Sequence, residues 1–302
     1  MPLIFLLRKL TKRLYPYRGL SRVADLVRKV WLHSPRQYLI RDFDGDLSFH
    51  CALNEHISSQ VFWRGAYSAD QLFILRRLLK PGMVFVDAGA NKGEFTVLAA
   101  KYTEGGKVLA FEPVAAVFEE LKANVSANGF QHVQLIRKGL GKASGERVIY
   151  HAENKRGQEL NMGTYTLYPR AGMDIALGSI SVITLDDFVK EEGIGRVDVI
   201  KIDIEGGERG MLLGALETIR RWKPVIFIEV NEVTSRAAGY DQGAIVRLLE
   251  ELGYRCERVG RRGKTSLVRE KDLKKFQNLI ALPGQEGGIA GQEEGIGGND
   301  KK

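Results

Sequence analysis

The residues best equipped for chemistry stand at the ends of short apolar runs. The run Val84 to Ala88 is rich in β-branched residues and reads as a buried strand; it stops at Asp87-Ala88-Gly89, where glycine lets the backbone turn tightly. Gly93 then opens a helix carrying Phe95, Leu98, Ala99 and Tyr102 at helical spacing. A strand, a glycine turn and a helix N-terminus together point backbone N–H groups outward, where the polar end of a ligand can approach. The dinucleotide fingerprint Gly-x-Gly-x-x-Gly admits a pyrophosphate. Here the spacing is Asp87-x-Gly89-x-x-x-Gly93, without the crowded glycine pair, and an acidic Asp87 would repel phosphate but could hold a cation. S-adenosylmethionine carries an ammonium and a sulfonium and no phosphate, so the pattern fits it better than NAD. Glu112, 25 residues beyond Asp87 at the end of a second run, is placed to accept hydrogen bonds from both ribose hydroxyls.

A second group lies at the ends of two later runs. Strand alternation would put Lys201, Asp203 and Glu205 on one face, and the next run ends in Glu229 and Asn231. A carboxylate inside a buried strand is costly unless it binds something. Asp203 or Glu229 could serve as a general base; alternatively Asp203, Glu229 and Asn231 could offer oxygen ligands to Mg2+. A purely structural role is open as well: pairing with Lys201, or capping the next helix through Glu205 and Glu208. Tyr67 could lie over the cofactor or pack beside Trp63. His151 could act as a base or be solvated, and His33, His50, His56 and His132 show no metal-ligand spacing.

Positioning these residues requires an alternation of strands and helices. Lys107 to Phe111 and Val133 to Arg137 read as strands flanking a helix from Ala115 to Ala127. After residues 139 to 180, glycine-rich and without helical periodicity apart from a possible strand Arg147 to Tyr150, the order resumes. It runs through a strand Ile180 to Ile183, a helix Leu185 to Lys190, a strand Val197 to Ile204, a helix Arg209 to Arg220, a strand Val225 to Val230 and a helix Ala244 to Leu252. Arg255 to Val259 and Asn278 to Leu282 can supply the last strands. This pattern predicts an α/β, doubly wound and mostly parallel sheet. The 139–180 excursion is either a substrate lid or a variable surface loop.

The predicted organisation is a basic amphipathic helical segment (1–37), a β/helix element (38–80) with a hairpin at Asp44-Gly45 and a helix Asp70 to Leu79, the cofactor-binding domain (81–283), and a disordered tail (284–302) of Gly, Gln and Glu. Net charge is +8, but residues 1–41 hold ten Lys/Arg against Asp25 alone, a local +9 that leaves the rest about neutral. The series Leu3, Leu7, Leu10, Leu14 and Leu20, Val23, Val27, Val30, Trp31, interleaved with basic residues, suggests helices that dock on an anionic membrane or on the chain's own domain. Cys51 and Cys256 make no disulfide framework and no zinc site, which favours a reducing, cytoplasmic setting, peripheral at the inner membrane face if the helices bind lipid. Nucleic acid is not an expected partner: there is no Asn-Pro-Pro-aromatic or Asp-Pro-Pro-aromatic stretch, no Pro-Cys nucleophile, and little aromatic interleaving in the basic segment.

Taken in order, Asp87-Ala88-Gly89-Ala90-Asn91-Lys92-Gly93-Glu94-Phe95-Thr96, Phe111-Glu112-Pro113, Thr184-Leu185-Asp186-Asp187 and Lys201-Ile202-Asp203-Ile204-Glu205-Gly206-Gly207-Glu208 resemble the FkbM-type S-adenosylmethionine-dependent methyltransferases, over about Phe62 to Pro283. The resemblance implies a class I methyltransferase (Rossmann-like) fold, a seven-stranded sheet with one antiparallel strand. It also implies a cofactor loop that includes Asn91, and methyl transfer to a hydroxyl oxygen of a sugar, glycan, polyketide or lipid-type small molecule. Two departures stand out: Gly65-Ala66-Tyr67-Ser68 lacks the acid of Gly-x-Tyr-Glu, and Gly207 replaces a small alanine. A non-catalytic cofactor-binding scaffold of the same fold, or transfer to nitrogen or carboxyl groups, are the alternatives.

Overall fold

A computed structural model describes residues 3–15, 21–31, 34–152 and 165–284 of the chain. Helices α1 (Leu3–Leu14) and α2 (Ser21–Trp31) precede an antiparallel hairpin of β1 (Gln37–Phe43) and β2 (Leu47–Ala52), then α3 (His56–Arg64) and α4 (Ala69–Leu78). The alternation begins with β3 (Val84–Ala88), α5 (Glu94–Tyr102), β4 (Lys107–Phe111), α6 (Ala115–Ser126) and β5 (Val133–Ile136). Strands β6 (Gly139–Leu140), β7 (Gly145–His151), β8 (Tyr165–Thr166) and β9 (Ile175–Ile183) interrupt it. It resumes through α7 (Leu185–Glu191), β10 (Val199–Ile202), α8 (Glu208–Leu213), α9 (Leu216–Trp222), β11 (Val225–Asn231), α10 (Glu232–Ala237) and α11 (Gly243–Glu251), and closes with β12 (Tyr254–Val259), β13 (Thr265–Leu267) and β14 (Phe276–Pro283).

The main sheet has the order β13-β12-β14-β11-β10-β3-β4-β5. The five strands from β11 to β5 are mutually parallel, and β14 is the antiparallel strand between β11 and β12. This is the doubly wound class I arrangement; β13 adds a short eighth strand at the edge, antiparallel to β12. All five residues of β3 are buried, as a strand covered on both faces requires. One apolar cluster lies under Val84, Val86, Ile200, Ile202, Ile226 and Ile228. The opposite cluster, around Phe85, Val108 and Phe227, also contains Ile40, Phe43, Phe49, Phe62 and Trp63, so the amino-terminal hairpin and α3 share a core with the sheet.

Register fixes the site. Ala88 pairs with Phe111 on one side and with Ile202 on the other, and Ile202 pairs in turn with Ile228. One residue beyond this row, at the carboxyl edge, stand Gly89, Glu112, Asp203 and Glu229. The chain order reverses between β3 and β10, and ligands of open α/β sheets bind at such switch points.

Three sequence expectations change. Residues 139–180 are a second, four-stranded sheet in the order β6-β9-β7-β8, with residues 153–164 outside the described part. The single helix expected from Arg209 to Arg220 is interrupted at Gly214, which separates α8 from α9. In α1 the buried residues are Ile4, Arg8 and Thr11, while Leu3, Leu6 and Leu10 face solvent. Arg8 donates to both carboxylate oxygens of Asp42 (2.8 and 2.7 Å) and lies over the Phe62 ring, and Thr11 donates to the Trp63 carbonyl (2.7 Å). These polar attachments, together with Ile4, Phe5 and Leu7 packed on the core, hold this helix to the body, while most of the leucine series stays outside. Leu20 and the expected tail beyond Gly284 lie outside the described residues.

Candidate active site

The turn after β3 is held against the end of β4: the N–H groups of Gly89 and Ala90 both donate to the Phe111 carbonyl (3.1 and 2.9 Å). Gly89 has φ +78°, and a Cβ there would stand 2.0 Å from the Asp203 carbonyl oxygen. Only glycine fits this left-handed, crowded position. Asn91 is also left-handed (φ +50°), a conformation asparagine tolerates better than most residues; its N–H donates to Glu112 (3.1 Å). Gly93 precedes α5 with φ +90°, and a Cβ would strike Leu121 at 2.7 Å, so this glycine lets α5 pack on α6.

Two chambers open at the carboxyl edge. The first is lined by Phe111, Glu112, Val114, Leu140, Ile149 and Ile180, among others, and the four-stranded sheet closes it. The second is lined by Ile57, Tyr67, Glu94, Lys201 and Glu229 with neighbouring residues. Gly89, Asn91, Asp203 and Glu205 line both.

Glu112 is almost fully buried and accepts the N–H groups of Asn91 (3.1 Å) and Val114 (3.0 Å). Burial pushes its carboxyl up to about 7, against the pull of those two donors. Asp87 was expected to meet the ligand, but it is fully buried behind the turn. Thr96 donates to it (2.6 Å), and the Lys201 ammonium lies 3.7 Å away. That buried ammonium donates to the Gly89 carbonyl (2.8 Å), stands 3.6 Å from Asp203, and lies over the Phe95 ring. Burial alone would lower the Lys201 pKa; Asp203, Asp87 and Glu229 outweigh it and raise it. The cation beside Asp87 is therefore supplied by the chain itself.

The carboxylates cluster closely. Strand β10 ends at Ile202, so alternation does not carry through to Glu205, which is left-handed (φ +53°) and 3.5 Å from Arg170. A bulky residue in that region costs about 1–2 kcal/mol. Burial and then Asp203 raise the Glu205 carboxyl to about 7. Burial, Asp203, Glu205 and Glu208 push Glu229 well above the usual carboxylate range. Glu208 itself is structural, accepting the Ile204 and Gly206 N–H groups at the start of α8. Asp186 likewise receives the Glu217 and Thr218 N–H groups at the start of α9.

Tyr67 lies at the mouth of the second chamber, edge-on to His56 rather than beside Trp63. Asn231 does not join Asp203 and Glu229 as a ligand, because its side chain caps α10 by accepting the Val233 N–H (3.0 Å). With that oxygen engaged and an ammonium already next to Asp203, the donor set does not suit Mg2+. Among the described residues no group of three His, Cys, Asp or Glu is arranged to hold a metal ion. His151 ends β7 against Tyr165 and lines neither chamber; His33 is outside the described residues. Sequence reasoning missed Glu94. Its carboxylate is buried and accepts the N–H groups of Tyr67 (2.6 Å) and Ser68 (3.1 Å), and the available signal was an acid at the first turn of a helix facing the sheet.

The chain is similar in sequence to known proteins. The chain is 27% identical over 200 residues to the 31-O-demethyl-FK506 methyltransferase FkbM of Streptomyces tacrolimicus, covering 58% of this chain and 74% of that one. It is also 27% identical over 244 residues to the AMB antimetabolite synthetase AmbE of Pseudomonas aeruginosa; that match takes in 66% of this chain but only 10% of the far longer AmbE. The crystal structure of methyltransferase FkbM from Methylobacillus flagellatus KT aligns with a TM-score of 0.43 at 15% identity, covering 87% of this chain and 60% of that one. The model of the methyltransferase FkbM domain matches residues 87–256, from the buried aspartate of the first turn to the strand at the far side of the sheet. The chain belongs to the FkbM methyltransferase family.

Proposed function

We propose that this chain transfers a methyl group from S-adenosylmethionine to a hydroxyl oxygen of a small molecule, such as a sugar, a glycan, or a polyketide or lipid-type compound. The observation that carries this reading is the pair of chambers joined at Gly89, Asn91, Asp203 and Glu205. A transfer in line between donor and acceptor needs two sites that meet at one point. S-adenosylmethionine, when bound, supplies a methyl carbon on a positively charged sulfur that departs as a neutral thioether. On the donor side Glu112 accepts hydrogen bonds from ribose hydroxyls, and Val114, Leu140, Ile149 and Ile180 give a flat base apolar cover.

On the acceptor side Asp203, at the junction, takes the proton that the hydroxyl loses as its oxygen bonds to the methyl carbon. Lys201 positions Asp203 and keeps a positive charge beside it. Glu229 stands farther into the acceptor chamber, and its raised pKa lets it hold a proton and donate to an acceptor oxygen. A chamber lined by Asp203, Glu205 and Glu229 offers several hydrogen-bonding partners to a hydroxylated acceptor. The name of the Streptomyces relative, which specifies an oxygen position, favours the same choice.

Calorimetry tests the donor half. The wild type should bind S-adenosylmethionine, and Glu112→Ala should bind it about tenfold more weakly or worse, since hydrogen bonds to a charged group are lost. No binding by the wild type, or equal binding by the variant, sinks the assignment. With labelled cofactor and a panel of hydroxylated acceptors, Asp203→Asn should lower kcat by about a hundredfold or more while leaving cofactor affinity near that of the wild type.

A further inference from the structure

The first two helices carry apolar residues on two faces: Ile4, Phe5, Leu7, Val27 and Trp31 pack on the core, and a second set is left outside it. A helix that merely caps its own domain turns its apolar stripe inward. Here α1 buries Arg8 and Thr11 beside Ile4, with Arg8 and Lys12 both bonded to Asp42. Helix α2 is tied down through Asp25, which accepts from Arg64, and through Trp31 against Trp63. Exposed instead are Leu3 (68%), Leu6 and Leu10, spaced i, i+3, i+7 on α1, and Leu26 and Val30 (80%), spaced i, i+4 on α2. The two helices pack on each other, and the exposed residues Lys9, Arg13, Arg22 and Lys29 accompany the two apolar stripes. No helix among the described residues is long and apolar enough to cross a membrane.

We propose that this helix pair is a docking surface for an anionic lipid membrane. Charge complementarity selects that occupant: the stripes belong to a segment with ten basic residues and one acid, while the remainder of the chain is about neutral. Apolar side chains enter the acyl boundary while Lys and Arg stay at the headgroups, an arrangement that basic amphipathic helices adopt at interfaces. The helices are held rigidly by Asp42, Arg64 and the Trp63 carbonyl, so the surface is presented in the folded protein and needs no unfolding to be exposed. Docking also brings α3, which packs on α1 and lends Ile57 to the acceptor chamber, close to the bilayer.

The test is co-sedimentation of the full chain with vesicles of phosphatidylcholine mixed with phosphatidylglycerol, against phosphatidylcholine alone. The wild type should bind the anionic vesicles and bind the neutral ones at least tenfold more weakly. Leu6→Gln with Leu26→Gln, and separately Lys9→Gln with Arg13→Gln, should each weaken binding about tenfold or more. All of these side chains are exposed, so the variants should keep the wild-type melting temperature and cofactor affinity, which separates this proposal from the catalytic one. Wild type that stays off anionic vesicles, or variants that bind as well as it does, would overturn the proposal. So would equal binding to neutral lipid. If the wild type stays off vesicles but self-associates, and Leu6→Gln with Leu26→Gln makes it monomeric, the surface is an interface between copies instead.

Discussion

Glu112 shows how much chemistry one residue can take from its surroundings. A carboxylate that must accept hydroxyl hydrogen bonds does so best when ionised, yet burial has moved this one up to about 7. Its folded-state pKa is raised, so between the ordinary value of 4.5 and about 7 the folded protein keeps a proton that the unfolded chain has released. The group therefore adds to stability below that window, and the contribution is lost as pH rises through it. In the proposed function, where Glu112 accepts from the ribose hydroxyls, cofactor binding has the opposite dependence, because it draws on the ionised form. Affinity for S-adenosylmethionine should tighten as pH rises through about 7 and level off above; calorimetry across that range checks it, and Glu112→Gln should flatten the profile. Asp87 teaches a different lesson. Its position beside the turn was legible, but its role was not, because Thr96 and Lys201, nine and 114 residues later, claim its carboxylate.

Among the elements, the cofactor turn is bolted to the amino-terminal part by a buried cation. The Lys92 ammonium is 3.0 Å from Glu55, the cap of α3, and 2.7 Å from Glu120 on α6, and the Lys92 carbonyl accepts from Asn124 (2.7 Å). Lys92→Ala would leave Glu55 buried without its counter-charge, which costs about 3–5 kcal/mol. Chemical denaturation should register that loss, and a change within a few tenths of a kcal/mol would mean the ion pair contributes little. The parallel strands were readable because both their faces are buried and the runs are apolar throughout. Their ends were readable too, and register then aligned Gly89, Glu112, Asp203 and Glu229. Strands β7 and β9 were legible only in part, as Arg147 to Tyr150 and Ile180 to Ile183, for the converse reason: most of their residues are exposed, and glycines interrupt the alternation. The inward face of α1 could not be read from spacing, since Arg8 is buried only because Asp42, in the hairpin strand β1, neutralises it. There burial would raise the Asp42 carboxyl, but bonds from Arg8 and Lys12 hold it at about 2.

For the molecule as a whole, Phe43, Phe49, Phe62 and Trp63 join Phe85, Val97 and Phe227 in a single apolar cluster, so the amino-terminal hairpin, α3 and one face of the main sheet are one packed body. Within it, Glu94 belongs to the first turn of α5, directly after the cofactor turn, yet its carboxylate holds the backbone of Tyr67 and Ser68 at the acceptor mouth. Anything that orders one end of this link is felt at the other. Thermodynamic linkage then requires reciprocity: whatever factor the methyl donor contributes to acceptor affinity, the acceptor must return to donor affinity. The two substrates should therefore bind with positive cooperativity, measurable as a lower Kd for S-adenosylmethionine in saturating acceptor. Glu94→Gln, which weakens the shared anchor, should bring that ratio toward one, while a ratio unchanged from the wild type would show that the two chambers respond independently. In kinetic terms such a link favours an enzyme that discriminates between full and half-filled sites, and so holds its reactive donor idle until an acceptor has arrived.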